Sequence, residues 1–309
     1  MHNMPRRMVN RIDAILAWQA VQAACVGFAR SDADDTLSLT STDGRMQRAP
    51  THFAGTVLRV HRNGQWDAAL PVEEPAARML DLYLPLVSSK PGRSHVVAHL
   101  GQSLDGRIAT TTGESQFITG TENLDHVHRL RALCDAVIVG AGTVHHDDPR
   151  LTVRRCDGTN PVRVVIDTNC TLNPRFGLFQ DHAAETLLCC AEDAVFDARR
   201  LPLPEREVIR IPRQGDGLRL ASLVKSLAER GLFRLMVEGG GVTVSRFLAQ
   251  GCLDRLHVTV APVIIGSGRQ GINLQTISSL RQSLRPVARH FIQGPDVLFD
   301  MEMRDVGVA

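Results

Sequence analysis

Glu238 stands directly before three consecutive glycines, Gly239, Gly240 and Gly241, after the apolar run Leu232 to Val237. Glycines between a strand and a helix let backbone N–H groups approach an anion, and the helix N-terminus adds partial positive charge, so the stretch reads as a phosphate cradle without a lysine. Two alternatives stay open. The glycines do not form a G-x-G-x-x-G fingerprint, and three of them also simply permit tight helix packing. Glu238 is suited either to accept a ligand N–H or hydroxyl proton or to cap a backbone amide.

A second glycine turn, Gly140-Ala141-Gly142-Thr143, ends another apolar run and leads into His145, His146, Asp147 and Asp148, then Arg150, Arg154 and Arg155. Consecutive ligands in an extended segment point to opposite faces, which argues against a metal ion held by this block. Clustered arginines beside a glycine turn suit a phosphorylated ligand better than a cation, with Asp147 and Asp148 as an acid/base group and a partner of the arginines. Two more polar stretches lie upstream. In Gln102 to Arg107, QSLDGR, Asp105-Gly106 signals a tight turn. In Gly113 to Gly120, GESQFITG, Thr119 followed by Glu122 has the spacing of a capping box. The helix predicted from Glu122 to Cys134 buries Leu124, Val127, Leu130 and Leu133 or Cys134. Arg131 lies off that stripe, either reaching a phosphate or standing solvated. Ser222 and Lys225 match S-x-x-K but sit inside an amphipathic helix with no partner motif.

From His95 onward, strands and helices must alternate to position these groups. Strands are predicted at His95 to Gly101, Asp135 to Gly140, Val162 to Asp167, Thr186 to Cys190, Glu207 to Ile211 and Phe233 to Val237. Helices are predicted at Glu122 to Cys134, Leu218 to Arg230 and Val242 to Gln250. Such alternation gives an α/β sheet with helices on both faces. Strands at Arg255 to Gly266, Val287 to Ile292 and Val297 to Arg304 add an antiparallel finish, so the sheet is mixed rather than doubly wound. Residues 1–93 read as a separate small α+β lobe: a helix from Ile12 to Ala29, a polar loop from Ser31 to Pro50, a hairpin about Asn63-Gly64, and a helix from Glu73 to Val87 bent or ended by Pro85. The linker-like SSKPGRS, Ser88 to Ser94, separates it from a domain at 94–309.

The formal net charge is +2 and aromatics are 4%, which gives no case for nucleic acid or an anionic membrane. Arg6, Arg7 and Arg11 precede the first apolar segment, but Asp13, Gln19 and Gln22 interrupt it at helical spacing, so an amphipathic helix is expected rather than a secretory signal. No run is long enough to span a membrane. Seven cysteines without a C-x-x-C pair suit reduced thiols and a cytoplasmic location.

Taken together, Ser103-Leu104-Asp105-Gly106, GESQFIT, HRLRA, VGAGTVHHDDPRLTVRR, Val165-Ile166-Asp167 and VEGGG, followed by Val260-Ala261-Pro262 and Ile264-Ile265-Gly266, resemble the pyrimidine reductase domain of the RibD-type riboflavin-biosynthesis family. The resemblance covers about residues 95 to 305 and implies a dihydrofolate-reductase-like fold, usually homodimeric. It also implies NADPH-dependent reduction of the ribosyl side chain of a 5-amino-6-ribosylamino-pyrimidine 5′-phosphate to ribityl. It assigns Ser115, Arg131, Leu151, Arg154 and Glu238 to the pyrimidine phosphate. To the dinucleotide it assigns Gly101, Phe117, Thr119, Gly142, Thr143, Asp147, Thr168 and the loop Gly240, Gly241, Val242 and Thr243. Asp147 or Glu238 is the candidate for proton management.

Three departures stand out. His99 replaces a common lysine beside the substrate, Phe117 replaces a common tryptophan, and residues 1–93 lack the H-x-E and P-C-x-x-C motifs of a zinc deaminase, so no deamination is expected there. His99 leaves open a related substrate in a specialised flavin-like or pteridine-like pathway. A non-catalytic ligand-binding protein that retains the pocket is the reading from another class.

Overall fold

The computed structural model describes residues 10–30, 35–88, 90–195, 204 and 207–304. Arg6, Arg7, residues 31–34 of the expected polar loop and Ser89 of the linker lie outside the described residues. The chain divides into two compact units, Met1–Arg93 and Ser94–Ala309.

In the first unit α1 (Ala14–Arg30) and α2 (Glu74–Val87) accompany an antiparallel sheet of β1 (Thr36–Thr42), β2 (Arg45–Ala49), β3 (Leu58–His61) and β4 (Trp66–Ala68), in the order β2-β1-β3-β4. The hairpin expected at Asn63-Gly64 is β3–β4. The polar loop expected before Pro50 is instead a second hairpin. Its strand TLSLTST buries Leu37 and Leu39, and Asp43 and Gly44, at φ 52° and 74°, make the left-handed two-residue turn that matches strand twist. Pro85 neither ends α2 nor moves its boundary, because it falls in the last turn, where only one backbone bond is forfeited.

The second unit holds a nine-stranded mixed sheet. Its strands are β5 (His95–Ser103), β7 (Ala136–Gly140), β8 (Val162–Ile166), β9 (Thr186–Ala191), β10 (Val208–Ile211), β13 (Arg234–Glu238), β14 (Arg255–Ala261), β16 (Val287–Gln293) and β17 (Asp296–Glu302). Their order is β10-β9-β8-β7-β13-β5-β14-β17-β16, parallel as far as β14 and antiparallel for the last two pairings. Two short ribbons pair β6 (Arg107–Thr110) with β15 (Gly268–Gln270), and β11 (Arg213–Gln214) with β12 (Gly217–Leu218). The helices are α3 (Thr121–Leu133), α4 (Ala141–Asp147), α5 (Leu220–Ala228) and α6 (Gly241–Ala249). One core joins Val96, Ala98 and Leu100 of β5 to Leu235 and Val237 of β13, Val244 and Phe247 of α6, and Leu223 and Leu227 of α5.

Two local expectations fail. The Gly140–Thr143 segment is no open turn: α4 starts immediately after β7, so His145, His146 and Asp147 are helical rather than extended, and Asp148 closes the helix at φ 39°. Neighbouring residues on a helix also diverge, so the argument against one shared metal ion survives on different geometry. Thr119 does not cap α3. Gly120 is the N-cap and makes no side-chain bond, while Thr119 Oγ1 accepts a 2.8 Å hydrogen bond from Asn123 Nδ2.

Candidate active site

Parallel strands put their carboxyl ends along one edge, where open α/β sheets bind ligands. At that edge β7 runs into α4, and β13 runs through Glu238 and two glycines into α6. Gly240 N–H donates to Thr143 Oγ1 at 2.9 Å, tying the two helix starts together. Gly240 is an N-cap without a side chain, so α6 begins with backbone donors no side chain satisfies. A Cβ on Gly241 would lie 2.6 Å from the Gln270 carbonyl oxygen and against that of Gly271. Only glycine lets this backbone close up. The SLDG turn supports the arrangement from below. Asp105 accepts from Ser103 Oγ at 2.6 Å and from the N–H groups of Ile265 and Gly266, while Gly271 N–H donates to Gly106 O. The Ser103 bond first, then the Ile265 amide, hold the Asp105 carboxyl at about 2. We expect Gly241→Ala to destabilise the unit by about 1–3 kcal/mol, since the clash is with backbone. Unfolding in urea measures it, and an unchanged midpoint would show that residues 270–271 move aside freely.

Glu238 neither caps an amide nor stands free. It takes a two-pronged ion pair from Arg131, with Nε donating to Oε2 at 2.8 Å and Nη2 donating to Oε1. Arg131 Nη1 also donates to Thr152 O at 3.0 Å, and Arg154 Nη1 reaches Thr152 Oγ1 at 2.6 Å. Arg131 is 7% exposed, so the solvated alternative is excluded. Burial alone would raise the Glu238 pKa, but the Arg131 guanidinium outweighs it and keeps the carboxyl below its ordinary range. Burial, then Arg131 and Arg150, depress the pKa of Arg154. Two guanidinium groups thus meet at one threonine, and Glu238 pairs with one of them. This excess of positive charge is what an anion would neutralise.

The face under α3 is polar. Cross-strand register aligns Glu238 with His99, His99 with His257, His257 with Asp300, and Asp300 with Arg289. His99 Nε2 lies 2.9 Å from Asn123 Oδ1, which also accepts from Thr259 Oγ1 at 2.8 Å. His126 Nε2 lies 3.1 Å from His257 Nδ1. His257 Nε2 is 3.2 Å from Asp300 Oδ1, off the line a hydrogen bond requires. Arg255 and Arg289 both pair with Asp300. Burial, then His257, lower the His99 pKa to about 4, and burial holds His126 well below its ordinary value. At neutral pH His99 is therefore an uncharged imidazole beside Glu238, with no substitute for a lysine's charge.

Asn123, His126 and His128 escape sequence reasoning because the apolar stripe of α3 leaves out buried polar positions, and Thr152, His257 and Thr259 because their partners lie far away in the chain. Leu124, predicted inside, is 42% exposed, whereas Asn123, His126 and His128 are buried. The i, i+4 spacing of Thr119 and Asn123 was the available signal. Of the remaining predicted residues, Gly101 lies against Thr119 and Asn123, where an added Cβ would be 3.0 Å from Thr119 Cγ2. Ser115 is half-buried; Leu151 is buried at φ 55°. Phe117, at φ 65°, is 86% exposed and Val242 points outward, so neither walls the site in this structure. Asp147 stands exposed on the last turn of α4, its carboxyl pKa raised by partial desolvation. Thr168 follows β8, its carbonyl accepting from Ala191 N–H, and Gly142 and Thr143 occupy the first turn of α4.

A family model described as the RibD C-terminal domain matches residues 94–290. The chain belongs to the RibD C-terminal domain family. It is 35% identical over 218 residues to the 2,5-diamino-6-ribosylamino-4(3H)-pyrimidinone 5′-phosphate reductase of Methanothermobacter thermautotrophicus, covering 69% of this chain and 99% of that protein. It is 33% identical over 236 residues to the riboflavin biosynthesis protein RibD of Aquifex aeolicus, covering 75% of this chain and 64% of that one. Among solved structures, Acinetobacter baumannii RibD, form 2, superposes with a TM-score of 0.59 at 26% identity, over 75% of this chain and 65% of that chain. The matching family segment carries both glycine turns, both arginines and Glu238, and stops within β16. Among the described residues of this RibD-family chain, no helix is long and apolar enough to cross a membrane.

Proposed function

We propose that this RibD-family chain uses NADPH to reduce the ribosyl side chain of a 5-amino-6-ribosylamino-pyrimidine 5′-phosphate to ribityl. The observation that carries the reading is the meeting of Arg131 and Arg154 at Thr152, with Arg131 paired to Glu238, which directly precedes the glycines Gly239 to Gly241. With the Arg131 fork taken by Glu238, the Arg154 guanidinium, which among the described residues is bonded only through Nη1, suits a phosphate, Arg131 adds its charge behind it, and the glycine-started α6 suits a pyrophosphate. The donor set fits a dinucleotide: the backbone of Gly240 to Thr243, with Thr143 and Thr168, would hold it. When bound, NADPH supplies the hydride. The protein's part is to orient the substrate, exclude water and manage one proton. Arg131 keeps Glu238 ionised, so it acts as an acceptor for a substrate hydroxyl or N–H. Asp147, whose proton affinity is raised, is the better-suited of the two carboxylates to hold a proton.

His99 favours a second reading, reduction of a related pyrimidine or pteridine intermediate, because a neutral imidazole offers no fixed charge where the resemblance leads one to expect a lysine. Oxidation of NADPH in the presence of the ribosylaminopyrimidine phosphate supports the first reading. NADPH binding with turnover only on another substrate supports the second, and absence of any thermal shift with saturating NADPH removes both, since bound ligand stabilises by a few kcal/mol. Arg154→Ala is expected to raise the Michaelis constant for the phosphorylated substrate by about thirtyfold, roughly 2 kcal/mol, with NADPH affinity retained. An unchanged constant would take Arg154 out of the site. The proposal extends to a cytoplasmic homodimer: all seven cysteines are free thiols, and Ile292 on the edge strand β16 and Phe299 on its neighbour β17 are exposed. Sedimentation equilibrium reads the oligomeric state directly.

A further inference from the structure

Asn123, on the first turn of α3, is a 3% exposed amide set between Thr119 and His99. Its Nδ2 donates to Thr119 Oγ1 at 2.8 Å. Its Oδ1 accepts from Thr259 Oγ1 on β14 at 2.8 Å and lies 2.9 Å from His99 Nε2 on β5. The two ends of this amide are not interchangeable. Turned over, it would present Nδ2 to Thr259 and leave that hydroxyl's proton only the 3.5 Å contact with Gln293 Oε1, a far weaker bond. An amide oxygen can only accept, so the proton of the His99 ring sits on Nε2. Burial, then His257, keep that ring neutral, with a pKa of about 4, and a neutral imidazole has one N–H. His99 Nδ1 is therefore a lone pair.

That lone pair has somewhere to point. Among the described residues, the imidazole nitrogens sealed from solvent without a partner are His95 Nε2 and His257 Nε2. His99 Nδ1 is not one of them and makes no bond among the described residues, so it reaches open space although its residue is 5% exposed. The charged and titratable groups about the ring are Glu238 on β13, His257 on β14, and Arg131 and His126 on α3. Glu238 is its register partner across β13 and β5, and adjacent strands lie about 4.8 Å apart. Glu238 is held ionised by Arg131, so it too is an acceptor. Two acceptors side by side match two neighbouring donors, and adjacent hydroxyls are what a sugar chain offers. A cation at His99 would have suited an anion instead.

We propose that Asn123 is a positioning residue: it holds His99 as the Nε2–H tautomer, so that Nδ1 accepts a hydrogen bond from a hydroxyl of the substrate's ribosyl chain beside Glu238. This role rests on the substrate reading above. Long-range nitrogen–proton NMR of the full chain carrying isotope-labelled histidine tests it, with His99→Gln identifying the signals. At pH 7 Nε2 of His99 should be protonated and Nδ1 bare. Adding the ribosylaminopyrimidine phosphate without NADPH should move the Nδ1 signal while Nε2 keeps its proton. Asn123→Leu should give a mixture of tautomers and lower kcat by about tenfold, the worth of one hydrogen bond to the substrate. Asn123→Asp keeps an acceptor opposite Nε2, so it should restore the tautomer and most of the rate above neutrality. Its activity should then fail at a higher pH than the parent's on acidification, because a carboxylate beside the ring favours the imidazolium, which has no lone pair to offer. A proton on Nδ1 in the unaltered chain overturns the role of Asn123 whatever the variants do, and an acid limb that Asn123→Asp leaves in place does the same. Bound substrate that leaves Nδ1 unmoved overturns the ribosyl contact. Absence of substrate binding in calorimetry overturns the substrate reading, while the tautomer of the free chain still decides the role of Asn123.

Discussion

Replacing Glu238 with alanine is expected to cost the second unit about 3–5 kcal/mol of stability, the largest loss among single changes at this site. Arg131, in the last turn of α3, is buried with its Nε and Nη2 committed to Glu238, and alanine leaves that guanidinium buried with Thr152 O as its remaining partner among the bonds described above. The loss is of compensation for a charge already taken out of water, not of one surface contact. The control is a double variant, Glu238→Leu with Arg131→Met, which removes both charges and should regain most of the loss. Chemical denaturation monitored by tryptophan-independent circular dichroism reads all three chains. A Glu238→Ala midpoint equal to the parent's would mean that Arg131 finds solvent as easily as it finds Glu238.

Mild acid should unfold the same unit well before its carboxylates are neutralised. His99 has a folded pKa near 4 and His126 one well below its ordinary 6.5, because burial disfavours their charged forms. The unfolded chain takes up protons near pH 6.5 while the folded chain refuses them, so stability is greatest above 6.5 and falls as pH drops from there toward 4. His99 removes on the order of 2 kcal/mol between pH 7 and pH 5, and His126 adds to the loss in the same direction. Asp300 adds to this loss only at lower pH: burial would raise its pKa, but His257 and the arginines hold it far down, so it stays ionised throughout that window and its contribution is lost only once the unfolded carboxylate starts to take up protons. Urea midpoints at pH 7, 6 and 5 give the slope. A His126→Asn chain should lose part of it, and a flat profile would show these imidazoles to be open to water.

Backbone signals in this chain are local, and they were readable: apolar runs of strand length, glycines at strand ends and the antiparallel finish all lie within a few residues of what they specify. The failures share a cause. The β1–β2 hairpin is hidden because serines and threonines dominate its first strand and charged and polar residues its second, although Asp43-Gly44 names the turn. Arg131 was placed off the buried stripe of α3 because its partner, Glu238, lies 107 residues away and no periodicity reports it. The histidine row is likewise invisible along the chain, since His99, His126 and His257 meet only through strand register and helix packing. Burial of polar residues depends on long-range partners, and single-sequence patterns carry little of that.

The position of β13 has a consequence in time. This strand, Arg234–Glu238, lies between β7 and β5, which are complete about a hundred residues earlier in the chain. Until it arrives, β5 and β7 cannot join through it, and each presents an unpaired edge of backbone donors and acceptors. The last strand to enter the middle of the sheet is also the one that ends in Glu238. Closure of the sheet and assembly of the pocket are thereby one late event with a high loop-closure cost, so the rate of folding and the rate of gaining activity should be the same rate.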